Sequence, residues 1–181
     1  KQKQRLGLGD YGSVYVACKV DNCEYAMKIT KNKQAMIAFK NEVQALKELQ
    51  GIKGIPKLHA AWTCKGKGYF VLDKLKPINK SNKTITQIYK WMGNMRKKLY
   101  KKGWIHIDIK RNNIMCDNKN NLLLIDFGIA VKKGKNYNNS LPFFKVIGLS
   151  KKKLKYKWKF NDFIIPENLN YELLLQNNDI K

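Results

Sequence analysis

Two acidic residues that interrupt apolar stretches constrain this chain more than any other feature. Asp108 lies between two isoleucines, and Asp126 ends the apolar run Leu122–Ile125. A carboxylate placed in this way is costly to bury unless a partner or a cation compensates its charge. Asn113 adds an amide oxygen nearby in the sequence, and this donor set suits Mg²⁺, which also binds phosphate oxygens. The pattern predicts a site for Mg²⁺ and phosphate, the alternative being that these acids cap helices or turns.

The glycine-rich segment Gly7–Val14 is the second constraint. Gly7, Gly9 and Gly12 have the GxGxxG spacing, which alone is as typical of a hairpin turn as of a phosphate-binding loop. A dinucleotide site needs a helix next, whereas Val14–Ala17 has the residues of a strand. This disfavours a Rossmann fold, and no GxxxxGK(S/T) motif indicates a P-loop. A glycine hairpin can still bring backbone N–H groups close to phosphates, because no side chain intervenes.

Lys28 lies in a predicted strand, Tyr25–Ile29. Side chains alternate along a strand, so Ala26 and Lys28 share one face. The small alanine leaves room for a flat ring, and the lysine ammonium can reach phosphates. A solvated lysine is the commoner alternative, but Glu42, on a helix with an apolar stripe, could hold Lys28 in place.

The composition is that of a folded protein. Of 181 residues, 44% are hydrophobic and 11% aromatic, which supports a core and argues against disorder. We expect a single domain over residues 1–181. No apolar run approaches the roughly 20 residues of a spanning helix, and the first ten residues lack the apolar core of a signal peptide. We therefore expect a soluble, intracellular protein without a membrane span, in the cytoplasm or nucleus.

Charge and cysteine content add two expectations. The chain has 37 Lys and Arg against 13 Asp and Glu, a net charge of +24. Part of this excess is typical of an A/T-rich coding sequence, but the scarcity of Glu favours a basic surface facing an anionic partner. The cysteines, at positions 18, 23, 64 and 116, form no CxxC pair. We therefore expect reduced thiols rather than a zinc site or disulfides.

Local patterns predict an α+β fold. Short strands are predicted at 14–17, 25–29, 55–58 and 69–72. Apolar residues at helical spacing predict one helix from Met36 that stops at Gly51 and another from Thr84 to Gly103. Short strands or loops around the polar turn Asp117–Asn121 follow. The first part is thus β-rich with one helix, and the second part is more helical.

The ordered motifs resemble those of eukaryotic-type protein kinases. They are GxGxxGxV at Gly7–Val14, AMK at Ala26–Lys28, the helix residue Glu42, HxDxKxxN at His106–Asn113 and DFG at Asp126–Gly128. This set is highly specific for the family and spans about two thirds of the chain. The resemblance implies a bilobal protein kinase-like fold. Its β-rich N-lobe, with the glycine loop and hinge, would span residues 1–75, and a reduced helical C-lobe would span residues 76–181.

The resemblance also implies ATP and Mg²⁺ as cofactors and assigns catalytic roles. Asp108 would accept the proton of a substrate hydroxyl. Lys110, typical of Ser/Thr kinases, would steady the γ-phosphate. Lys28, paired with Glu42, would contact the α- and β-phosphates.

The remaining matched positions would bind the metal or the nucleotide. Asn113 and Asp126 would hold Mg²⁺. By similarity, the positions that cover the phosphates, line the adenine slot or form the hinge are Leu6, Gly7, Gly9, Gly12, Val14, Ala26, Leu72, Asp73, Leu75 and Met115.

Two departures from the family pattern affect regulation and size. Ile107 takes the place of an Arg that many members use to receive an activation-loop phosphate, so we expect activity without phosphorylation. Only 53 residues follow Gly128, fewer than the usual C-lobe helices need. We therefore expect a minimal or truncated kinase, similar to compact forms in viruses or bacterial effectors, which would place it in a host cytoplasm.

Three functions remain open at this stage. An active Ser/Thr protein kinase is favoured, a pseudokinase that binds ATP as a scaffold is the alternative, and a basic nucleic-acid-binding module is the third. In segment 151–159, lysines alternate with apolar residues. The segment is either a strand with a solvated basic face or a row that docks an acidic protein substrate or another anionic partner, such as nucleic acid.

Overall fold

The structure, a computed structural model, describes residues 4–9, 11–20, 22–135, 137–138 and 157–158. Within them an antiparallel sheet packs against one helix, and a second helix with several short strands follows. The α+β class that the sequence predicts is confirmed. No helix in these ranges is long and apolar enough to cross a membrane.

Five antiparallel strands form the main sheet, in the order β1-β2-β3-β5-β4. They are β1 Arg5–Leu8, β2 Gly12–Lys19, β3 Asn22–Thr30, β4 Leu58–Cys64 and β5 Lys67–Asp73. Three of the four predicted strands are confirmed within β2, β3 and β5. The strand predicted at 55–58 is wrong, because β4 begins only at Leu58. Ile55 donates its N–H to Ile52 in a turn, and Pro56 has no N–H to donate to a ladder.

The helix α1, Lys33–Leu49, covers one face of the sheet. The Asn32 side chain caps it by accepting a hydrogen bond from the N–H of Ala35. Its buried residues include Leu46 and Leu49, and Gly51 follows with a φ of 82°, which glycine adopts without strain. The predicted helix and its stop are therefore confirmed.

Cross-strand pairing decides which side chains face α1. Val14 pairs with Lys28, and Lys28 pairs with Phe70. Phe70 is buried and stacks on Phe39 of α1 at 6.0 Å between ring centroids. Lys28 therefore points to the helix side of the sheet, and by strand alternation Ala26 shares that face.

The second helix, α2, spans Ile85–Lys101. Thr84 and Gln87 form a capping box at its start, and Gly103, with a φ of 72°, follows its end. Its buried residues include Met92 and Leu99. The helix predicted from Thr84 to Gly103 is confirmed.

Short strands complete the described part of the chain. They are β6 Lys76–Pro77, β7 Trp104–Ile105, β8 Ile114–Cys116, β9 Leu122–Leu124, β10 Val131–Lys132, β11 Tyr137–Asn138 and β12 Lys157–Trp158. β8 pairs with β6 and β9, β7 pairs with β10, and β11 pairs with β12. The alternating lysine segment predicted at 151–159 otherwise lies outside the described residues.

One cysteine expectation is wrong. Cys18 and Cys23 form a disulfide, whereas Cys64 and Cys116 are free thiols. Lys19 pairs with Asn22, so the β2–β3 hairpin brings the two cysteines that flank this pair together. The absence of a CxxC motif was no guide to this disulfide, because strand register rather than sequence spacing brings the two cysteines together.

The three glycines of the first hairpin differ in their surroundings. A Cβ on Gly12 would lie 2.3 Å from the carbonyl oxygen of Ile29, whereas one on Gly7 would meet nothing within 4 Å. We expect Gly12→Ala to lower the free energy of unfolding by about 1–3 kcal/mol through overpacking. Gly7→Ala, the matched control, should change it by less than about 0.5 kcal/mol. Denaturant unfolding measures both, and equal stability of the two variants would contradict the close contact of β2 and β3.

Candidate active site

A buried ion cluster lies where the sheet, α1 and the segment after β9 meet. The Lys28 ammonium lies 2.8 Å from the Glu42 carboxylate and 3.2 Å from that of Asp126. Glu42 is only 3% exposed, and the Lys28 ammonium also lies 5.6 Å from the centre of the Phe70 ring. Three segments that are distant in sequence therefore converge on one cation.

Electrostatics favour the charged forms of Lys28 and Asp126 in this cluster. Burial alone would lower the pKa of Lys28, but the Glu42 and Asp126 carboxylates outweigh it and raise that pKa. Burial raises the pKa of Glu42, and the Lys28 charge, which acts to lower that pKa, does not outweigh it. Burial would also raise the pKa of Asp126, but the Lys28 charge outweighs burial and lowers that pKa. The Asp126 side chain, 36% exposed, thus presents an ionised carboxylate to solvent.

The backbone at Asp126 is strained. Asp126 has a φ of 66° and a ψ of 62°, in the left-handed region that few non-glycine residues adopt. A single 3-10 turn, Phe127–Ile129, follows, and the Phe127 side chain is fully buried. A Cβ on Gly128 would lie 3.2 Å from that of Ala38, so glycine lets α1 pack closely here. The strained geometry, held by this packing, turns the Asp126 carboxylate toward Lys28.

A second group of polar side chains gathers around Asp108. The Asn113 Nδ2 donates to the Asp108 carbonyl oxygen at 2.8 Å and to its Oδ2 at 2.9 Å. The Lys110 ammonium lies 3.0 Å from the same Oδ2. Because the amide nitrogen of Asn113 is engaged with Asp108, its Oδ1 is the atom suited to a cation.

His106 joins this loop to the Asp126 segment. Its Nε2 donates to the Ile125 carbonyl oxygen at 3.1 Å, and its Nδ1 accepts the N–H of Asp108 at 3.3 Å. The ring packs edge-on against Phe127 at 4.8 Å between centroids. Ile125 in turn donates its N–H to the Asn113 carbonyl at 2.9 Å. The two acids that interrupt the apolar stretches are thus held in one site.

The glycines predicted to cover a nucleotide lie in the hairpin between β1 and β2. Gly7 pairs with Val14, and the Gly9 N–H donates to the Gly12 carbonyl oxygen. A Cβ on Gly9 would meet only that oxygen, at 3.9 Å. Among the described residues, nothing therefore crowds the Cβ positions of Gly7 and Gly9.

The other predicted lining positions are spread over four strands and the segment between β5 and β6. Ala26 pairs with Leu72 on the Lys28 face of the sheet, Met115 is the middle residue of β8, and Leu6 is 45% exposed. Leu75 lies between β5 and β6.

Asp73 differs from these positions. Its carboxylate accepts a hydrogen bond from His59 Nε2 at 2.6 Å, and it pairs with Tyr25 on the opposite face of the sheet from Lys28. Only the backbone of Asp73 can therefore line the site. This pair could not be predicted from local sequence patterns, because His59 lies in a different strand.

The residues present fit a magnesium–nucleotide complex. Asp126 supplies an ionised oxygen, Asn113 an amide oxygen and Lys28 a fixed cation, while the glycine hairpin leaves backbone exposed. The described residues contain no group of three His, Cys, Asp or Glu that could hold a metal ion. Mg²⁺ at Asn113 and Asp126 would therefore take its other ligands from phosphates and water, as it does in many proteins.

Sequence reasoning missed two residues next to this site. Asn41, directly before Glu42, donates to backbone carbonyls after Asp126, and Glu48 accepts hydrogen bonds from Trp104 and Lys132. Their spacing on α1 was the only available signal, since Asn41 and Glu48 lie on the same face of a helix.

His106 predicts a measurable pH dependence. Burial lowers its pKa from the usual 6.5, and the neutral Nε2–H form satisfies both of its hydrogen bonds. Below about pH 6.5 the unfolded chain binds a proton that folded His106 excludes, so the free energy of unfolding should fall as the pH falls. The contribution of His106 to this slope has a limit of about 1.4 kcal/mol per pH unit.

The comparison of His106→Asn with wild type isolates this contribution in denaturant titrations between pH 7.5 and 5.5. The wild-type curve should fall more steeply than that of His106→Asn. Parallel wild-type and His106→Asn curves would contradict a buried neutral His106.

Comparison with known proteins identifies the family. The protein kinase domain family model matches residues 1–148. A probable casein kinase I homolog of Encephalitozoon cuniculi is 32% identical over 152 residues, which are 77% of this chain and 48% of that protein. The serine/threonine-protein kinase PKH1 of Saccharomyces cerevisiae is 29% identical, over 92% of this chain and 24% of its own length. The serine/threonine-protein kinase LATS2 of Homo sapiens is also 29% identical, over 69% of this chain and 13% of its own length. The chain thus spans about half or less of these curated relatives. The family match over most of the sequence, with the site geometry, shows that this chain belongs to the eukaryotic-type protein kinase family.

Proposed function

We propose that this chain is an ATP- and Mg²⁺-dependent kinase that transfers the γ-phosphate of ATP to Ser or Thr hydroxyls of protein substrates. The observation that carries the proposal is the convergence of Lys28, Asp108 and Asp126, with their partners, in one site. Lys110 and the names of the Ser/Thr kinase relatives favour Ser and Thr over Tyr as acceptors. We assign the N-lobe to residues 1–75 and the C-lobe to residues 76–181.

Nucleotide binding would use the glycine hairpin and the Lys28 face of the sheet. Gly7, Gly9 and Gly12 would cover the phosphates, with Leu6 at the edge. The adenine slot would be lined by Val14, Ala26, Leu72 and Met115, with the backbone of Asp73 and Leu75 as the hinge. The Lys28 ammonium, fixed by Glu42, would contact the α- and β-phosphates.

Phosphate transfer would depend on charge neutralisation and on one proton acceptor. Mg²⁺, held by Asn113 and Asp126, would neutralise the negative charge of the phosphates. Asp108 would accept the proton of the attacking hydroxyl while a bond forms from that oxygen to the γ-phosphorus and the bond to the β-phosphate oxygen breaks. Lys110 would steady the transferred group.

Substrate class and location complete the proposal. The net charge of +24 and the lysines of segment 151–159 favour an acidic protein substrate. We propose that the kinase acts inside the cell, in the cytoplasm or nucleus.

The experiment is transfer of labelled phosphate from ATP, with Mg²⁺, to a protein mixture. We expect Asp126→Asn and Lys28→Met each to reduce transfer by at least about 100-fold, because they remove charges that act on the phosphates. Lys19→Met, which removes an exposed lysine of β2 in the same sheet, should leave transfer unchanged. Circular dichroism checks that each variant is folded.

Three outcomes distinguish the functional classes. Phosphoserine or phosphothreonine in the products, lost in Asp126→Asn, supports the proposal. Tight magnesium–ATP binding without transfer would indicate the pseudokinase. Absence of nucleotide binding, together with salt-sensitive binding of oligonucleotides, would indicate the nucleic-acid-binding module.

A further inference from the structure

Three polar residues of α1 face the segment that follows Asp126. Asn41, Gln44 and Glu48 are spaced by three and four positions, which places them on one side of the helix. We call them the polar row. The side chain of each makes a hydrogen bond to a residue between 127 and 135, and Gln44 also bonds to Glu48.

The Asn41 side-chain amide lies within hydrogen-bond distance of three backbone carbonyls and shares its two N–H groups among them. Its Nδ2 lies 3.2 Å from the oxygen of Phe127, 3.2 Å from that of Gly128 and 2.7 Å from that of Ala130. All three residues are buried, so these carbonyls have little access to water. A buried carbonyl that loses its donor is costly, so Asn41 stabilises this turn in one conformation.

Glu48 anchors the end of the same segment. Its carboxylate accepts hydrogen bonds from Lys132 Nζ at 2.6 Å and from Trp104 Nε1 at 3.0 Å. Gln44 donates to Glu48 at 2.9 Å and accepts from Lys135 Nζ. Burial would raise the pKa of Glu48, but these donors outweigh it and lower that pKa. The row therefore links α1 to residues on both sides of β10.

The row acts on the helix that carries Glu42. Asn41 and Glu42 are adjacent, so the helical turn that holds Lys28 also holds the carbonyls directly after Asp126. A shift of α1 would break both sets of contacts together. Ile107, next to Asp108, carries no charge. It therefore cannot bind a phosphate group added to this segment.

We propose that the polar row Asn41–Gln44–Glu48 positions residues 127–135 against α1 and so keeps Asp126 beside Lys28 without phosphorylation of the chain. These are positioning residues, since they touch neither of the proposed reacting groups. The inference rests on the proposed kinase function for its effect on rate. Its effect on structure can be measured independently of that function.

The first variant is Asn41→Asp. It keeps the size of the side chain but sets a carboxylate against three carbonyl oxygens. Lys40→Gln makes the same one-unit change in charge at the neighbouring exposed position and is the matched control. Glu48→Gln is the second variant, which tests the row at its other end if Asn41→Asp does not fold.

Hydrogen–deuterium exchange of peptides covering residues 126–135 is the primary readout. In wild type, the Ala130 N–H is bonded to Phe127 and the Lys133 N–H to Gly103. Both variants should exchange faster in this segment than wild type, while peptides from α2 stay unchanged and Lys40→Gln matches wild type. For the enzyme, kcat should fall at least about tenfold in Asn41→Asp, with the KM for protein substrate changed less than about threefold. Treatment of wild type with a phosphatase should leave kcat unchanged.

The outcomes separate this inference from the proposed function. Faster exchange confined to residues 126–135 supports the polar row even if wild type transfers no phosphate, in which case only the proposed function fails. Unchanged exchange in the folded variants overturns the inference. A large loss of kcat in phosphatase-treated wild type also overturns the inference, since a phosphate group rather than the polar row would then position the segment.

Discussion

The ion pair between Lys28 and Glu42 is the interaction on which the rest of this site depends. Two charges removed from water are stable only when each has a close partner, and removal of one partner leaves an uncompensated buried charge. Lys28 and Glu42 lie 2.8 Å apart, and Asp126 joins them at 3.2 Å. The need to pair these charges fixes α1 against the sheet and brings the Asp126 segment to both. A site with this constraint has few alternative arrangements.

The second half of the site is connected to this cluster through backbone contacts. His106 bonds to Ile125, directly before Asp126, and Ile125 bonds to Asn113. The position of Asp108 therefore follows from that of Asp126, although they are 18 positions apart in the sequence. On the other side, the polar row of α1 holds the residues after Asp126. The carboxylate that faces solvent is thus fixed from both directions along the chain.

Much of this arrangement could be predicted from residues that obey local rules. Strand alternation indicated the face of Lys28, and the apolar surroundings of Asp108 and Asp126 indicated a shared site. The exceptions depend on tertiary contacts. The Cys18–Cys23 disulfide follows from hairpin register, the contact of Asp73 with His59 joins two strands, and the bonds of Asn41 reach residues 86 to 89 positions away. Spacing in sequence carries no information about such pairs.

A double-mutant cycle on Lys28→Met and Glu42→Gln tests the central claim most directly, through the free energy of unfolding at neutral pH. We predict that each single change costs about 3 kcal/mol, because Lys28→Met leaves buried Glu42 without its cation and Glu42→Gln leaves Lys28 with only the partly exposed Asp126. The double change should cost less than the sum of the two by at least about 1 kcal/mol. If the cost of the double change equals the sum of the two single costs to within about 0.5 kcal/mol, the two residues act independently. That result would contradict an ion pair that organises the site.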